Sequence, residues 1–324
     1  MSRYVITGGA GFIGSALVRA LLAEGRRVHV IDNLATGNLE NLEEIADQIT
    51  LHQLDLRDYD RIAPVLEGSS RVFHLGALPS VPKSILNPVA SHETNIDGTF
   101  NVFRACAEGR VGRVVYAASS SAYGDTEVLP KVETMLPRPK SPYAVQKLLG
   151  EYYASTFAEC FGLETVSLRF FNVFGPRQDP TSVYSGVLSI FLNCLIDRRA
   201  PTIYGDGEQS RDFTYVEDVV GLLLKAANAP AASVSGKMYN AGNGNRYTLN
   251  ETWQLLQQIE GVSIPPKYGP PRPGDVRHSQ ADTSAAVRDL GHRPQFTFEQ
   301  GLRLTLDWYR ANIARKQSAD RLTA

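Results

Sequence analysis

The chain has 324 residues, 43% hydrophobic and 21% charged, with a formal net charge of −1. That balance excludes a disordered chain and a polyanion-binding surface, so no nucleic-acid partner is expected, and the length suffices for two domains or one large domain with a lobe. Cys106, Cys160 and Cys194 are odd in number and far apart, which fits a reducing compartment and core or inert roles better than a disulfide framework. The opening MSRYVITGGAGFIG has no apolar run of signal-peptide length, and no stretch reaches about 18 uninterrupted apolar residues. The sequence therefore reads as cytoplasmic, with no membrane partner.

In chain order, short β-branched runs alternate with segments of helical spacing: YVIT from Tyr4, RVHVID from Arg27, RVFHL from Arg71, RVVYAA from Arg113 and TVSLRF from Thr165. This rhythm predicts an α/β fold built on a doubly wound parallel sheet. Beyond Asn172 the Pro and Gly content rises in GPRQDP, YGDGEQSRDF, NAGNGNRYT and PPKYGPPRPGD. A first domain over 1–172 and a smaller, mixed C-terminal lobe over 173–324 are expected. The amphipathic YVEDVVGLLLKAA and the strand-like KMYNAG, within 213–242, are expected to return to the first domain.

The first run leads into TGGAGFIGSALVRALLAEG. Gly8 permits a tight turn, Gly11 lets the backbone approach a pyrophosphate, and Gly14 allows close helix–sheet contact. The helix that begins at Phe12 and Ile13 points its positive end at the phosphate charge. Asp32 and Asn33 end the second strand, where a carboxylate accepts from the ribose hydroxyls of an adenosine. A 2′-phosphate would meet Asp32 with like charge, so NAD is favoured over NADP. A tight βα turn without ligand and a helix-capping Asp32 are the competing readings. Together these features predict a Rossmann-type NAD-binding domain.

LDLRD places Asp55 and Leu56 after the third strand, and HLGALPSVPKS follows the fourth. With these motifs the chain resembles the extended short-chain dehydrogenase/reductase superfamily, in its nucleotide-sugar epimerase and dehydratase branch, from Arg3 to about Trp308. The resemblance implies that Asp55 and Leu56 contact adenine and that Gly76, Ala77 and Leu78 line the cofactor, with Asn95 near it. It also implies a homodimer. The segments Asn95–Ala107 and Tyr143–Phe161 carry apolar faces suited to a second copy.

In SPYAVQKLLGEYYA, Tyr143 and Lys147 are four residues apart and share one face of a helix. A free tyrosine, with a pKa of about 10, is too weak an acid to serve as a base near neutrality. A cation ~4 Å away, at an effective dielectric near 20, stabilises the phenolate by roughly 4 kcal/mol. Lys147, helped by a positive nicotinamide, is thus expected to make Tyr143 a usable base.

AASSSAYGD holds three adjacent serines. By the register of the resembled family, Ser119 is the catalytic hydroxyl, bonded to the sugar O4 and relaying its proton to Tyr143. Ser120 and Ser121 stand where related 4,6-dehydratases resemble an Asp-Glu pair, and serines cannot do that acid–base work, so inversion at C4 is implied over elimination or decarboxylation. All three serines also suit the capping of strand-end backbone groups, Ser121 more than Ser119.

For the second lobe, the resemblance implies substrate contacts from Ser80, Asn172, Gln178, Tyr204, Arg211, Arg272 and Asp275, with the two arginines on phosphates. In RPGDVRHSQAD, Ser279 takes the place of a size gate beside the sugar C2 substituent. A small side chain there leaves space for an N-acetyl group. Pro79 departs from the subgroup acting on N-acetylated sugars, which often has glycine there. The implied activity is NAD-dependent interconversion of UDP-GlcNAc and UDP-GalNAc. UDP-glucose, then UDP-glucuronate, are the competing sugars, and an NAD-sensing scaffold is the competing class. No residue is assigned to a metal.

Overall fold

The computed structural model describes residues 2–178, 186–271 and 276–323, with side chains described as far as residue 315. The strands in chain order are β1 (Arg3–Thr7), β2 (Arg27–Ile31), β3 (Ile49–His52), β4 (Arg71–His74), β5 (Val114–Ser119) and β6 (Thr165–Phe170). Then follow β7 (Asn172–Phe174), β8 (Thr202–Tyr204), β9 (Ser210–Arg211), β10 (Phe213–Tyr215), β11 (Lys237–Ala241), β12 (Tyr247–Thr248) and β13 (Lys267–Gly269). Seven of them form one sheet, ordered β11-β6-β5-β4-β1-β2-β3, with every neighbouring pair parallel. A parallel sheet is covered on both faces, so its central strands are apolar without alternation. β1 accordingly buries Tyr4, Val5, Ile6 and Thr7 in succession.

Helices Phe12–Ala23 and Val216–Asn228 cover one face, placing Leu17, Val18, Leu21, Val219 and Leu223 in its core. Helices Tyr59–Leu66, Gly98–Glu108 and Pro142–Phe161 cover the other through Ile62, Leu66, Val102, Phe103 and Phe157. The strand order reverses between β1 and β4, which opens a crevice at the strands' carboxyl ends. Helix Pro142–Phe161 starts on the Ser141 hydroxyl, which accepts from the Ala144 N–H at 3.2 Å, with Pro142 in the first turn, and it ends at left-handed Gly162. Residues 88–108 run helically with a single π turn at Glu93–Asp97.

The remaining strands pair in twos: β7 with β10, β12 with β9 and β13 with β8. They hold the lobe beside the crevice. Cys106 and Cys194 are buried and Cys160 is exposed. No helix among the described residues is long and apolar enough to cross a membrane.

Candidate active site

A cleft of about 1290 Å³ runs along the carboxyl ends of the central strands and under the second lobe. Its first wall is the glycine turn. Gly8 has φ +71°, and a Cβ there would stand 2.8 Å from the Gly76 Cα. A Cβ on Gly14 would stand 2.1 Å from the Gly8 carbonyl oxygen. The helix that follows has Gly11 at its N-cap, no side-chain cap and no acidic residue in its first turn. Its first amides, with no intrahelical acceptor, therefore face the cleft with the positive helix end, as a pyrophosphate requires.

Asp32 is buried at the end of β2, its two oxygens accepting from the Ala10 and Leu34 N–H groups, each at 2.9 Å. Burial pushes its carboxyl up, against those two bonds. Each oxygen keeps a lone pair for a ribose hydroxyl, and Asp32 lines the cleft. Asn33 donates to Asp55 at 2.9 Å, and Arg57 grips the same carboxylate with Nε and Nη2, each at 2.9 Å. That fork holds the Asp55 carboxyl at about 2. Phe12, Ile13, Leu56, Gly76, Ala77 and Leu78 all line the cleft. A glycine cradle that any Cβ would fill, an open helix N-terminus and a buried carboxylate 24 residues beyond Gly8 fit NAD.

Asn95 is not on the cleft wall. Its side-chain oxygen accepts from the Leu78 N–H at 2.8 Å, while its amide donates to the Leu78 carbonyl at 3.2 Å and to Gln146 at 2.9 Å. It is 1% exposed, so it positions the loop that lines the cofactor site and does not reach the site itself. The π turn supplies this geometry by widening the helix where the amide must face Leu78.

The three serines divide the work. Ser119 accepts from the Ser121 N–H at 3.2 Å and from the Ser121 hydroxyl at 2.8 Å, and its own hydroxyl bonds to the Tyr143 phenol. With both of Ser121's donors spent on it, the Ser119 hydroxyl proton is left for Tyr143. Ser120 lines the cleft beside them. Gly124, at φ +65°, lets the turn close under Arg138, whose carbonyl oxygen would lie 2.0 Å from a Cβ.

Tyr143 and Lys147 both open on this cleft, but their electrostatics differ from the sequence expectation. Burial pushes the Tyr143 phenol up to about 12, with the Ser119 bond opposing. Burial also pulls the Lys147 ammonium down to about 8. The Lys147 Nζ bonds to the Ala117 carbonyl at 2.8 Å and sits 5.0 Å over the Tyr116 ring. The protein alone thus leaves Tyr143 protonated. An oxidised nicotinamide supplies, when bound, the hydride acceptor and a positive charge in the same cleft.

On the substrate side, Ser80, Asn172, Gln178, Arg211 and Ser279 line the cleft. Tyr204 does not; it ends β8, paired with β13, and its carbonyl accepts from Gln209 Nε2 at 2.6 Å. Arg272 and Asp275 lie outside the described residues. Ser279 donates its N–H to the Ser210 carbonyl at 3.0 Å, which lays 277–279 along β9 next to Arg211. Asp212 fixes this corner. Its carboxylate accepts from the N–H groups of Asn243, Gly244 and Ala281 at 2.8, 2.9 and 3.0 Å and from the Thr214 hydroxyl at 3.3 Å.

Sequence reasoning missed Lys83, Lys131 and His278 on the cleft wall and Ser84, which accepts from the Tyr143 N–H at 3.1 Å. Lys131 reaches the cleft only because it pairs with Ala281, 150 residues away, and local sequence carries no sign of that.

A model of the NAD dependent epimerase/dehydratase family matches residues 4–242. The UDP-glucose 4-epimerase of Mycolicibacterium smegmatis is 36% identical over 312 residues, covering 95% of this chain and 98% of that protein. Among solved structures, the UDP-N-acetylglucosamine 4-epimerase of Methanobrevibacter ruminantium, in complex with UDP-N-acetylmuramic acid, superposes with a TM-score of 0.91 at 38% identity, covering 96% of this chain and 99% of that one. The UDP-glucose 4-epimerase of Thermus thermophilus, in complex with NAD, superposes with a TM-score of 0.86 at 36% identity, covering 95% and 99%. A parallel nucleotide-binding sheet with a tyrosine–lysine cleft and this breadth of likeness make the chain a member of the NAD dependent epimerase/dehydratase family. Within that family it stands with the NAD-dependent UDP-sugar 4-epimerases, an isomerase class.

Proposed function

We propose that the protein is a UDP-N-acetylglucosamine 4-epimerase, interconverting UDP-GlcNAc and UDP-GalNAc and working as a homodimer. The observation that carries the choice of sugar is Ser279, a small side chain on the cleft wall beside Arg211, where bulk would crowd an N-acetyl group. The likeness to a UDP-N-acetylglucosamine 4-epimerase supports the same reading.

In this reading Arg211, and Arg272 with Asp275 beyond the described residues, hold the UDP, its diphosphate against planar guanidinium donors. As the sugar enters, the Ser119 hydroxyl turns its one proton from Tyr143 to the sugar O4, and Tyr143 takes the O4 proton once the oxidised cofactor's charge is present. Bound NAD would supply the acceptor and then the donor of the C4 hydride, and the cleft would have to let the 4-keto sugar turn between the two transfers. For the dimer, Phe100, Val145, Tyr152 and Phe161 leave an exposed apolar face on helices Gly98–Glu108 and Pro142–Phe161.

A second reading, UDP-glucuronate, is favoured by Lys83 and Lys131 on the cleft wall, cations of the kind a C6 carboxylate needs. The test is to give the purified protein UDP-GlcNAc, UDP-Glc and UDP-GlcA separately and follow anomeric proton signals for each 4-epimer. UDP-GalNAc is expected to form fastest. Ser279→Tyr is expected to lower kcat/KM for UDP-GlcNAc by about 10- to 200-fold while sparing UDP-Glc. If the wild type inverts UDP-Glc or UDP-GlcA alone, the assignment of sugar fails.

A further inference from the structure

One buried charge pair has no part in the chemistry described so far. Tyr143, Lys147 and Glu151 recur every fourth residue on one face of helix Pro142–Phe161. Glu151 is 7% exposed and Arg169, from β6, is 2% exposed. Arg169 grips the Glu151 carboxylate with Nε at 2.8 Å and Nη2 at 2.7 Å, and its guanidinium lies 4.4 Å over the Tyr123 ring. The fork needs both carboxylate oxygens as acceptors, which is the ionised form. Its third nitrogen, Nη1, is buried without a partner. A buried ion pair with an orphaned donor is poor value for stability, since apolar residues of similar size often stabilise as well or better. Some other role favours keeping it.

We propose that Glu151 is a positioning residue for the Tyr143–Lys147 pair: held by Arg169 one helical turn beyond Lys147, its carboxylate keeps the buried Lys147 ammonium protonated and in place. The proposal rests on reading Tyr143 and Lys147 as the acid–base pair. Apart from the Ala117 carbonyl, a neutral acceptor at 2.8 Å, the groups that face Lys147 give its charge little support. Tyr143 and Glu151 come from its own helix. Tyr116 of β5 offers its ring, His74 of β4 lies behind, and Lys83 of helix Val81–Leu86 stands on the same cleft. The neighbouring helices present uncharged Ser84, Ser91, Asn95 and Thr99 on this side. Of these groups Glu151 alone carries negative charge, and its effect on Lys147 opposes that of burial.

The test labels lysine with 13C at Cε, assigns the Lys147 signal by its loss in Lys147→Met, and titrates it by NMR in the wild type, Glu151→Gln, Glu151→Asp and the double variant Glu151→Gln/Arg169→Met. In Glu151→Gln the Lys147 midpoint is expected to fall by about one pH unit or more, and the alkaline limb of kcat to move with it. Glu151→Asp keeps the charge and is expected to keep the midpoint. The double variant removes the stranded guanidinium and is expected to regain thermal stability while the midpoint stays low. A wild-type midpoint in Glu151→Gln overturns the proposal, as does an equal fall in Glu151→Asp, or a double variant that restores midpoint and stability together. A wild type that inverts no UDP-sugar, with a Lys147 midpoint that still answers to Glu151, overturns the proposed function and leaves the electrostatic role standing.

Discussion

Ser121 shows how a side chain next to the chemistry acquires a part in it. Its N–H and hydroxyl both end on the Ser119 oxygen, so that oxygen is filled as an acceptor and Ser119 is left to donate towards Tyr143. Ser121→Ala removes one of those two donors and frees Ser119 to rotate. A loss of about 1 kcal/mol of orientation, roughly fivefold in kcat with KM and thermal midpoint unchanged, is expected in steady-state assays. An unaltered kcat would mean that the Ser121 hydroxyl serves only to cap the strand end. Spacing and family register bring Ser119, Tyr143 and Lys147 together, and the structure has all three on one cleft. The state of the Tyr143–Lys147 pair was not legible in the sequence, because a pKa depends on burial and on the direction of Nζ. Sequence supplied the lysine, whereas the fold points its ammonium at the Ala117 carbonyl.

The strands legible in the sequence are those buried on both faces, where short length and β-branched enrichment, with no period of their own, separate the runs from buried helix. β3 lies at the sheet edge with Thr50 and Leu51 exposed, so its sequence carries little of that signal. The two- and three-residue ladders of the lobe are too short for any period to show, and Tyr204, which the family resemblance implies as a substrate contact, stands at a ladder end. β2 and β3 also carry a titratable contact. His29 Nδ1 and His52 Nε2 are 3.0 Å apart, the rings stack at 5.2 Å, and His29 Nε2 is buried without a partner. Burial, then His52 and the arginines nearby, hold His29 at about 4, and burial lowers His52 as well. Because the unfolded chain takes up these protons first, stability is full above pH 6.5 and falls as pH drops towards about 4. Thermal midpoints measured from pH 7.5 to 4.5 are expected to fall through that window, and His29→Gln to flatten the slope. Superimposable profiles would assign the acid sensitivity to other groups.

On the scale of the whole molecule, Asp212 is a buried carboxylate that ties Ser210 and Arg211 to the turn after β11 and to Ala281. Burial pushes its carboxyl up while four hydrogen bonds oppose, so the charge is held by three N–H dipoles and the Thr214 hydroxyl. Asp212→Ala leaves three backbone N–H groups without their acceptor, each costing about 1–3 kcal/mol. A fall in thermal midpoint on the order of 10 °C is expected in calorimetry. UDP affinity should weaken more than NAD affinity, because the glycine turn lies on the other side of the crevice. Equal loss of both would mean that the lobe and the sheet fold as a single unit around this residue.

The π turn at Glu93–Asp97 has a consequence for the length of the chain. A π turn holds one residue more than the α turn it replaces, so deleting one residue within 93–97 is expected to restore regular helix and leave Gly98–Glu108 in phase, with Val102, Phe103 and Cys106 still in the core. What such a deletion removes is the widening that lets Asn95 face Leu78. It should therefore leave soluble expression intact while weakening NAD retention, whereas a single-residue deletion within 100–105 should turn the apolar face out of the core and abolish soluble expression. At this place the protein carries one residue beyond what its helix needs, and uses it to hold a loop.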